Sequence, residues 1–268
     1  MSTHDISAKI QAAAGFIAES TSVVVFTGAG VSTESGIPDF RSAGGIWSRF
    51  DPDDFTIQKY LSSEKTRRRQ WQILVEEGLF RDIQPNTAHL AIAELEKLGK
   101  LDCVITQNID NLHQKAGNSD ERIYELHGNM QWATCLDCRA RFPMESIREM
   151  LKNGEKIPVC RRCGGMLKPD VVFFGESLPM KTIEAAAYHS QNADVFIVVG
   201  SSLLVHPASY MPGYAKSAGS RLVIVNLSET PYDTYADVLL PYSAGHAMSG
   251  IVDEVKNLVQ IEKRDSVR

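Results

Sequence analysis

The sequence of 268 residues lacks several features that would place it outside the ordinary globular enzymes. No run approaches the roughly 18 apolar residues that a membrane-spanning helix needs. There is no basic excess either, because 28 Lys and Arg stand against 33 Asp and Glu, so a global field that attracts nucleic acid is absent. The start, MSTHDISAKIQAAAGFIAE, shows no secretory signal. We therefore expect a cytoplasmic protein with no membrane partner.

Cysteine is scarce, with five residues, but four of them form two pairs. Cys135 and Cys138 make one Cys-x-x-Cys, and Cys160 and Cys163 make another, with 21 residues between the two pairs. In a chain without a visible secretory signal, this pattern predicts zinc ligands rather than disulfides. Four thiolates would close the shell of one structural Zn²⁺ and leave no position for a water nucleophile. Cys103 lies in an apolar stretch and is predicted to be a buried thiol.

Apolar extended segments alternate with helical patterns along most of the chain. The predicted strands are 23–26, 102–106, 195–200, 222–227 and 237–241, and helical periodicity marks 6–17, 90–98, 181–191 and 247–261. Fully apolar strands between helices predict an α/β fold, with a parallel sheet covered by helices on both faces. Residues 43–80, which have a helical character, and the cysteine-bearing residues 130–170 break this alternation.

A glycine-rich segment, GAGVSTESGIPDFRS, follows the first predicted strand. Gly28 and Gly30 stand where backbone N–H groups could meet a pyrophosphate, although a tight strand exit without a ligand has the same pattern. The usual dinucleotide fingerprint needs a third glycine where Thr33 stands, and an acidic residue at the end of the second strand. Both are missing, so the sequence disfavours a hydride-transferring dehydrogenase.

Polar residues also follow three further predicted strands, at 107–110, 200–202 and 226–228. The carboxyl ends of parallel strands share one edge of the sheet, where ligands of such folds bind. Four polar loops at one edge therefore predict a large polar ligand.

The segments GAGVSTESGIPDFRS, TQNIDNLH, LHGN, the paired Cys-x-x-Cys and VVFFGESLP together resemble the sirtuin family of NAD-dependent protein deacylases. The resemblance covers about residues 8–260 in the family's order and spacing. It implies that acetyl groups pass from acetyl-lysine of proteins or peptides to ADP-ribose, with NAD consumed and nicotinamide released. It also implies three parts. A Rossmann-like NAD-binding domain would comprise residues 1–42, 81–129 and 171–268. A helical module would comprise residues 43–80, and a zinc-ribbon module would comprise residues 130–170.

The resemblance assigns the catalytic roles to His127 and Asn108. His127 would be the general base, since histidine titrates near neutral pH, whereas any single histidine could also be a hydrogen-bonded core residue. Asp110 would bind the nicotinamide carboxamide, and Phe40 would shield the reactive sugar. The implied NAD-binding residues are Gly28, Ala29, Gly30, Ser32, Ile37, Asp39, Phe40, Arg41, Trp47, Gln107, Asn108, Ile109, Asp110, Gly200, Ser201, Ser202, Asn226, Leu227, Ser228 and Ala244. His113 is expected to be a packing or hydrogen-bonded residue.

The family pairs its substrate peptide by strand addition, a mode led by the backbone that tolerates varied sequences. The implied peptide-binding residues are Val171, Val172, Phe173, Phe174, Gly175 and Glu176, although the same segment could be an ordinary core strand. Relatives that prefer acidic acyl groups carry a tyrosine and an arginine after a tryptophan. Counting from Trp71, those positions hold Leu74 and Glu77, so we expect a preference for acetyl and other neutral acyl groups.

Two alternatives stay open at this point. ADP-ribosyl transfer to protein would use the same cleavage of NAD, but His127 favours deacylation. A nucleic-acid-binding zinc ribbon belongs to a different class, and residues 134–169 do hold eight Lys and Arg against four Asp and Glu. No aromatic platform accompanies those charges, so nucleic acid is not an expected partner.

Overall fold

Two β-sheets organise the chain. The computed structural model of the protein describes residues 3–76 and 83–265. The strands are β1 (Val23–Thr27), β2 (Leu101–Thr106), β3 (Ile123–Glu125), β4 (Gly128–Cys135), β5 (Arg141–Pro143), β6 (Leu167–Val171), β7 (Val195–Val199), β8 (Arg221–Val225) and β9 (Val238–Leu240). The α-helices are α1 (Thr3–Glu19), α2 (Ile57–Ser62), α3 (Glu64–Glu76), α4 (Thr87–Lys97), α5 (Leu112–Ala116), α6 (Met144–Lys152), α7 (Met180–Gln191), α8 (Met211–Ser217) and α9 (Ala244–Asp265).

The larger sheet has six parallel strands in the order β3-β2-β1-β7-β8-β9. Successive residues of β1 point into different cores. Val23 and Val25 pack with buried residues of α1, α4 and α9, whereas Val24 and Phe26 pack with buried residues of α7 and α8. A strand that is buried on both faces must be apolar throughout, which explains the run VVVF. The predicted parallel α/β sheet is confirmed.

Strand β3 was not predicted, because its three residues, Ile-Tyr-Glu, carry no apolar run. It pairs in parallel with β2, with Ile123 opposite Val104. This pairing places the following residues, Leu126, His127 and Gly128, at the end of the sheet. The Leu126 N–H donates to the carbonyl oxygen of Thr106 at 2.9 Å, which holds them there.

The smaller sheet is antiparallel, in the order β5-β4-β6. Cys135 ends β4, and Cys138, Cys160 and Cys163 lie in the loops that connect the elements around this sheet. The buried residues of this sheet share a core with helices α2 and α3. Tyr60 of α2 and Trp71 of α3 are buried among Ala133, Ile147 and Leu167. The Tyr60 hydroxyl also donates to the carbonyl oxygen of Leu167. The domain boundaries given above remain a prediction.

Element ends differ from the sequence pattern where side chains cap them. Helix α4 begins at Thr87, before its first apolar pair, because the Asn86 side chain accepts a hydrogen bond from the Ala88 N–H at 2.9 Å. Segment 171–176 is not one strand: β6 ends at Val171, Phe174 makes an isolated bridge to Thr56, and a turn follows at Gly175. No helix in the described residues is both long and apolar enough to cross a bilayer.

Candidate active site

The four polar loops meet at the carboxyl edge of the larger sheet, as the strand pattern predicts. The loops are joined by backbone hydrogen bonds: the Gly30 N–H donates to the Gly200 carbonyl at 2.8 Å, and the Gln107 N–H donates to the Thr27 carbonyl at 3.0 Å. Gly200 itself donates to the Val225 carbonyl at 2.9 Å. Predicted site residues from β1, β2, β7 and β8 are therefore held in one continuous surface.

The glycines of the first loop are required by another loop of the protein. A Cβ atom on Gly28 would lie 2.8 Å from the Gly200 carbonyl oxygen, and one on Gly30 would lie 2.8 Å from the Gly200 Cα atom. Gly200 adopts φ 62°, a left-handed conformation that favours glycine. Ala29 begins a 3₁₀ turn, Ala29–Ser35, which ends at Gly36 with φ 91°. Close approach of two loops thus explains the Gly-Ala-Gly pattern.

Ser32, Asn108 and Asp110 form a hydrogen-bonded cluster at this edge. The Ser32 hydroxyl donates to Asp110 Oδ2 at 2.7 Å and accepts from Asn108 Nδ2 at 3.1 Å. Asn108 Nδ2 also donates to the Gly28 carbonyl at 3.2 Å. The Leu112 N–H donates to Asp110 Oδ1 at 3.0 Å, at the start of α5. These three predicted residues are brought together.

His89 belongs to the same cluster, and the sequence reasoning missed it. Its Nδ1 accepts a hydrogen bond from the Asn86 N–H at 3.3 Å, so in the neutral ring Nε2 carries the proton and points to Ser32 Oγ at 3.4 Å. Burial lowers the pKa of His89 to about 4, which the carboxylates of Asp110 and Glu34 only partly offset. The available signal was Pro85-Asn86-x-x-His, an Asn cap followed by a polar residue at the third helical position.

His113 is a buried, hydrogen-bonded residue, as predicted. Its Nε2 lies 2.9 Å from Thr27 Oγ1, and its ring centroid lies 5.0 Å from that of His89. Burial holds the pKa of His113 well below the usual value for histidine. The neutral imidazole of His113 packs against His89, which in turn lies beside Ser32.

His127 lies between β3 and β4. Its Nδ1 is 2.9 Å from the carbonyl oxygen of Gln107, and because a carbonyl only accepts, Nδ1 carries the proton. The other ring nitrogen, Nε2, is then a proton acceptor in the neutral ring. Burial lowers the pKa of His127, and the bond to Gln107 partly offsets this shift. The ring is therefore neutral and able to act as a base at pH 7.

The neighbours of His127 hold it on two sides. The Gln107 side chain donates from Nε2 to Ser201 Oγ at 2.8 Å, which links the second polar loop to the third. The His127 carbonyl accepts from the Val172 N–H at 2.8 Å, which links it to segment 171–176. Gly128, with φ 71°, permits this crossing, because a Cβ atom there would lie 2.0 Å from the Asp170 carbonyl oxygen.

Residues 37–47 form a folded flap that is hydrogen-bonded to the polar loops. Asp39 accepts hydrogen bonds from the Arg41 N–H at 2.9 Å and from the N–H and hydroxyl of Ser42. Burial alone would raise the pKa of Asp39, but these bonds outweigh it and lower the pKa. The Phe40 and Trp47 rings lie 5.1 Å apart, and Arg41 Nη1 donates to Ser202 Oγ at 3.3 Å. Ile37 is tied back through its N–H to the Ser32 carbonyl at 3.3 Å.

The remaining predicted residues lie beyond β7 and β8. Asn226 Nδ2 donates to the Ser228 carbonyl at 2.7 Å, and the Leu227 side chain between them is 73% exposed. Ala244 is buried at the start of α9, where the Gly245 N–H donates to Glu34 Oε1 at 2.8 Å. Ile109, by contrast, packs against the core of the smaller sheet.

The four paired cysteines converge. Cys135 Sγ lies 3.5 Å from Cys163 Sγ, Cys138 Sγ lies 3.6 Å from Cys160 Sγ, and all four sulfur atoms are within 4.8 Å of one another. Zinc–sulfur bonds of about 2.3 Å in a tetrahedron place sulfur atoms roughly 3.8 Å apart, so the set fits Zn²⁺. A disulfide would need sulfur atoms about 2 Å apart.

The two cysteine turns share one backbone geometry. In each, the residue four positions after the first cysteine donates its N–H to that cysteine's carbonyl: Arg139 to Cys135 at 3.1 Å, and Gly164 to Cys160 at 2.8 Å. Both donors have positive φ, 61° and 75°. Backbone N–H groups of Cys138 and Asp137 lower the pKa of Cys135, which favours the thiolate that zinc binds.

The fold and the site define a Rossmann-like α/β protein with a zinc-ribbon module. The Sir2 family model matches residues 28–207. An NAD-dependent protein deacetylase of Caldivirga maquilingensis is 46% identical to this chain over 248 residues, which cover 92% of this chain and 94% of the relative. NAD-dependent protein deacylase 2 of Archaeoglobus fulgidus is 45% identical over 253 residues, which cover 93% of this chain and 97% of the relative. A Sir2 structure with a deacetylated p53 peptide and 3′-O-acetyl ADP-ribose superimposes with a TM-score of 0.84 at 37% identity, over 90% of this chain and 96% of the other. The chain belongs to the Sir2 family, the sirtuins.

Proposed function

We propose that this protein is an NAD-dependent protein lysine deacetylase. The acetyl group of an acetyl-lysine in a protein or peptide passes to ADP-ribose, and the products are lysine, nicotinamide and O-acetyl-ADP-ribose. The observation that carries this proposal is the hydrogen bond from His127 Nδ1 to the Gln107 carbonyl, which leaves Nε2 as the proton acceptor. The two curated relatives described above, a deacetylase and a deacylase, support the same activity.

NAD, when bound as co-substrate, supplies the ribose carbon that the acyl oxygen attacks while nicotinamide leaves. His127 acts as the general base that takes a proton from a ribose hydroxyl. Asn108 and Gln107 hold the ribose, and their side chains are already oriented by Ser32 and Ser201. Asp110 accepts a hydrogen bond from the nicotinamide carboxamide. Because Asp110 Oδ2 already accepts from the Ser32 hydroxyl, that bond is shared or exchanged when nicotinamide binds.

The other NAD contacts are proposed from the layout of the loops. Backbone groups of the first loop and Ser32 hold the phosphates, and the flap with Asp39, Phe40 and Arg41 closes over the nicotinamide ribose, where Phe40 excludes water. The Phe40–Trp47 ring contact supports this role, because it gives the flap an apolar inner surface. The adenosine end is bound by Gly200, Ser201, Ser202, Asn226, Leu227, Ser228 and Ala244, with Ala29, Ile37 and Ile109 as flanking contacts.

The acyl-lysine peptide is proposed to pair with segment 171–176. Among the described residues, the Val172 carbonyl and the Gly175 N–H have no hydrogen-bond partner, whereas the N–H and carbonyl of Phe174 are both paired with the 55–57 segment. An extended peptide pairs through such open backbone groups.

Zn²⁺ has a structural role in this proposal. Cys135, Cys138, Cys160 and Cys163 would hold it, and four thiolates leave no position for a reacting molecule. The metal would close the smaller sheet, whose core includes Phe173 of the peptide segment. Its contribution to activity is therefore indirect.

The decisive experiment incubates the protein with an acetyl-lysine peptide, with and without NAD, and measures deacetylated peptide and nicotinamide together. Equal amounts of both products, formed only with NAD, are the expected result. His127→Ala should lower the rate by about 10²- to 10⁴-fold, the usual effect of losing a general base. His189→Ala is the matched control, because His189 is a part-buried histidine bonded to Asp102 and Tyr124 and is not assigned to the site.

Two results would contradict the proposal. Deacetylation that proceeds without NAD would exclude the sirtuin reaction. Nicotinamide release with ADP-ribose transferred to protein, and no deacetylated peptide, would indicate an ADP-ribosyltransferase instead.

A further inference from the structure

Lys168 is a charged residue inside the protein. It lies on β6, three residues before Val171, the first residue of the peptide segment, and only 9% of its surface is exposed. Lysine is almost never so buried unless its charge is paired. An ammonium group has three donors, and all three of Lys168 are used: the Pro169 carbonyl at 3.2 Å, the Val171 carbonyl at 2.7 Å and Glu176 Oε2 at 3.1 Å.

The Phe173 ring covers the same ammonium group. Lys168 Nζ lies 4.7 Å from the ring centroid, within cation–π range. The ring in turn packs against Tyr60 at 5.1 Å, in the core of the smaller sheet. The charge is therefore fixed between the sheet and the peptide segment.

Glu176 closes this arrangement from the other end of the segment. The oxygen that binds Lys168 also accepts a hydrogen bond from the Phe173 N–H at 2.7 Å. The Glu176 N–H donates to the Phe173 carbonyl at 3.0 Å, and Gly175 between them has φ 85°. The Glu176 side chain thus points back to its own segment and is not directed at a ligand.

The consequence is visible in the backbone of the segment. Lys168 donates to the Val171 carbonyl, and Glu176 accepts from the Phe173 N–H. The Val172 N–H is bound to the His127 carbonyl, and Phe174 is bound to the 55–57 segment. Within the described part of the chain, the Val172 carbonyl and the Gly175 N–H are among the backbone groups left open.

We infer that Lys168 and Glu176 are positioning residues that set the register of the substrate peptide. By occupying the Val171 carbonyl and the Phe173 N–H, they withdraw these two groups from pairing and leave the Val172 carbonyl and the Gly175 N–H available to the peptide. This inference rests on the proposed deacetylase function and names two residues that act on peptide binding through the segment.

The test compares wild type with Lys168→Met, Lys168→Arg, Glu176→Gln and the double variant Lys168→Met/Glu176→Gln. Binding of a fluorescent acetyl-lysine peptide is measured by anisotropy, and KM is measured separately for peptide and for NAD. We expect Lys168→Met and Glu176→Gln to weaken peptide binding about tenfold or more, since bonds to charged groups are lost, while the KM for NAD stays within about twofold. Lys168→Arg should recover part of the loss. Lys216→Met is the control, because it removes a lysine–carboxylate pair, with Asp237 at 2.6 Å, outside the site.

A buried charge left without its partner can unfold a protein, so each variant is first checked by circular dichroism. If Lys168→Met is unfolded, the double variant and Glu176→Gln decide. Folded variants that bind the peptide as wild type does would overturn the inference, and so would equal losses in the KM for peptide and for NAD. A wild type that binds the peptide but never deacetylates it would overturn the proposed reaction instead.

Discussion

The Nδ1 atom of His127 lies 2.9 Å from the main-chain carbonyl oxygen of Gln107 and donates its proton there. The acceptor is a backbone group, so no side-chain substitution at position 107 removes it. Because Gln107 follows β2 directly, the sheet itself sets the tautomer of the histidine. His127 and the residues proposed to hold the ribose, Gln107 and Asn108, are thereby positioned by the same loop.

The first prediction concerns the pH dependence of catalysis. Burial lowers the pKa of His127 below its usual value of 6.5, and the Gln107 carbonyl only partly offsets this. A general base works in its deprotonated form, so kcat/KM should be lost as the pH falls through this lowered pKa and should be constant above it. Initial rates on an acetyl-lysine peptide between about pH 5 and pH 8 will show the midpoint. A midpoint at or above 6.5 would contradict the assignment.

The second prediction concerns stability in acid. The pKa of His89 is about 4 in the folded protein against 6.5 in the unfolded chain, because of burial. The unfolded chain therefore binds a proton first, and the stability present above pH 6.5 is lost as the pH falls to 4, by up to about 3 kcal/mol. Urea unfolding at neutral pH and near pH 4.5 measures this loss for wild type and His89→Gln. The same pH dependence in both proteins would show that His89 is not responsible.

The third prediction concerns the metal. Protein purified without chelator should contain about one zinc per chain, and Cys163→Ser should lose most of it and unfold at a lower temperature. Cys103→Ser is the matched control, since Cys103 is buried in the larger sheet's core and lies outside the cluster. Activity should fall as zinc is lost, because Cys135 and Cys160 lie in the same core as Phe173. Full activity in metal-free protein would disprove the structural role.

The fourth prediction concerns the acyl group. No tyrosine or arginine occurs from 72 to 80, and a glutamate near an acidic acyl group would repel it. Glu77 lies outside the described residues, and so does the side chain of Leu74, so this hypothesis still depends on the sequence alone. Matched acetyl and succinyl peptides should differ in kcat/KM by about tenfold or more in favour of acetyl. Equal turnover of the two peptides would refute it.

Much of the fold followed from local patterns. Buried parallel strands must be apolar along their whole length, so β1, β2, β7 and β8 were visible as continuous runs. The two Cys-x-x-Cys pairs were equally explicit, since zinc ligands come in short turns. Strand β3 was missed because three residues give no period, and the start of α4 was displaced because its first turn is set by the Asn86 cap.

The sequence by itself determined the chemical inventory of this protein: a strand–glycine loop, a histidine in Leu-His-Gly, four paired cysteines and the order in which they occur. Only the tertiary structure decided how those groups are used. The tautomer of His127, the tie from His89 to Ser32, the contact of Gly30 with Gly200 and the bond of Lys168 to Glu176 all depend on what lies opposite each group. A hydrogen bond or a close approach needs two partners at a fixed distance. In three of these four pairs the partners are at least 20 residues apart in the chain, so their meeting depends on the packed sheet.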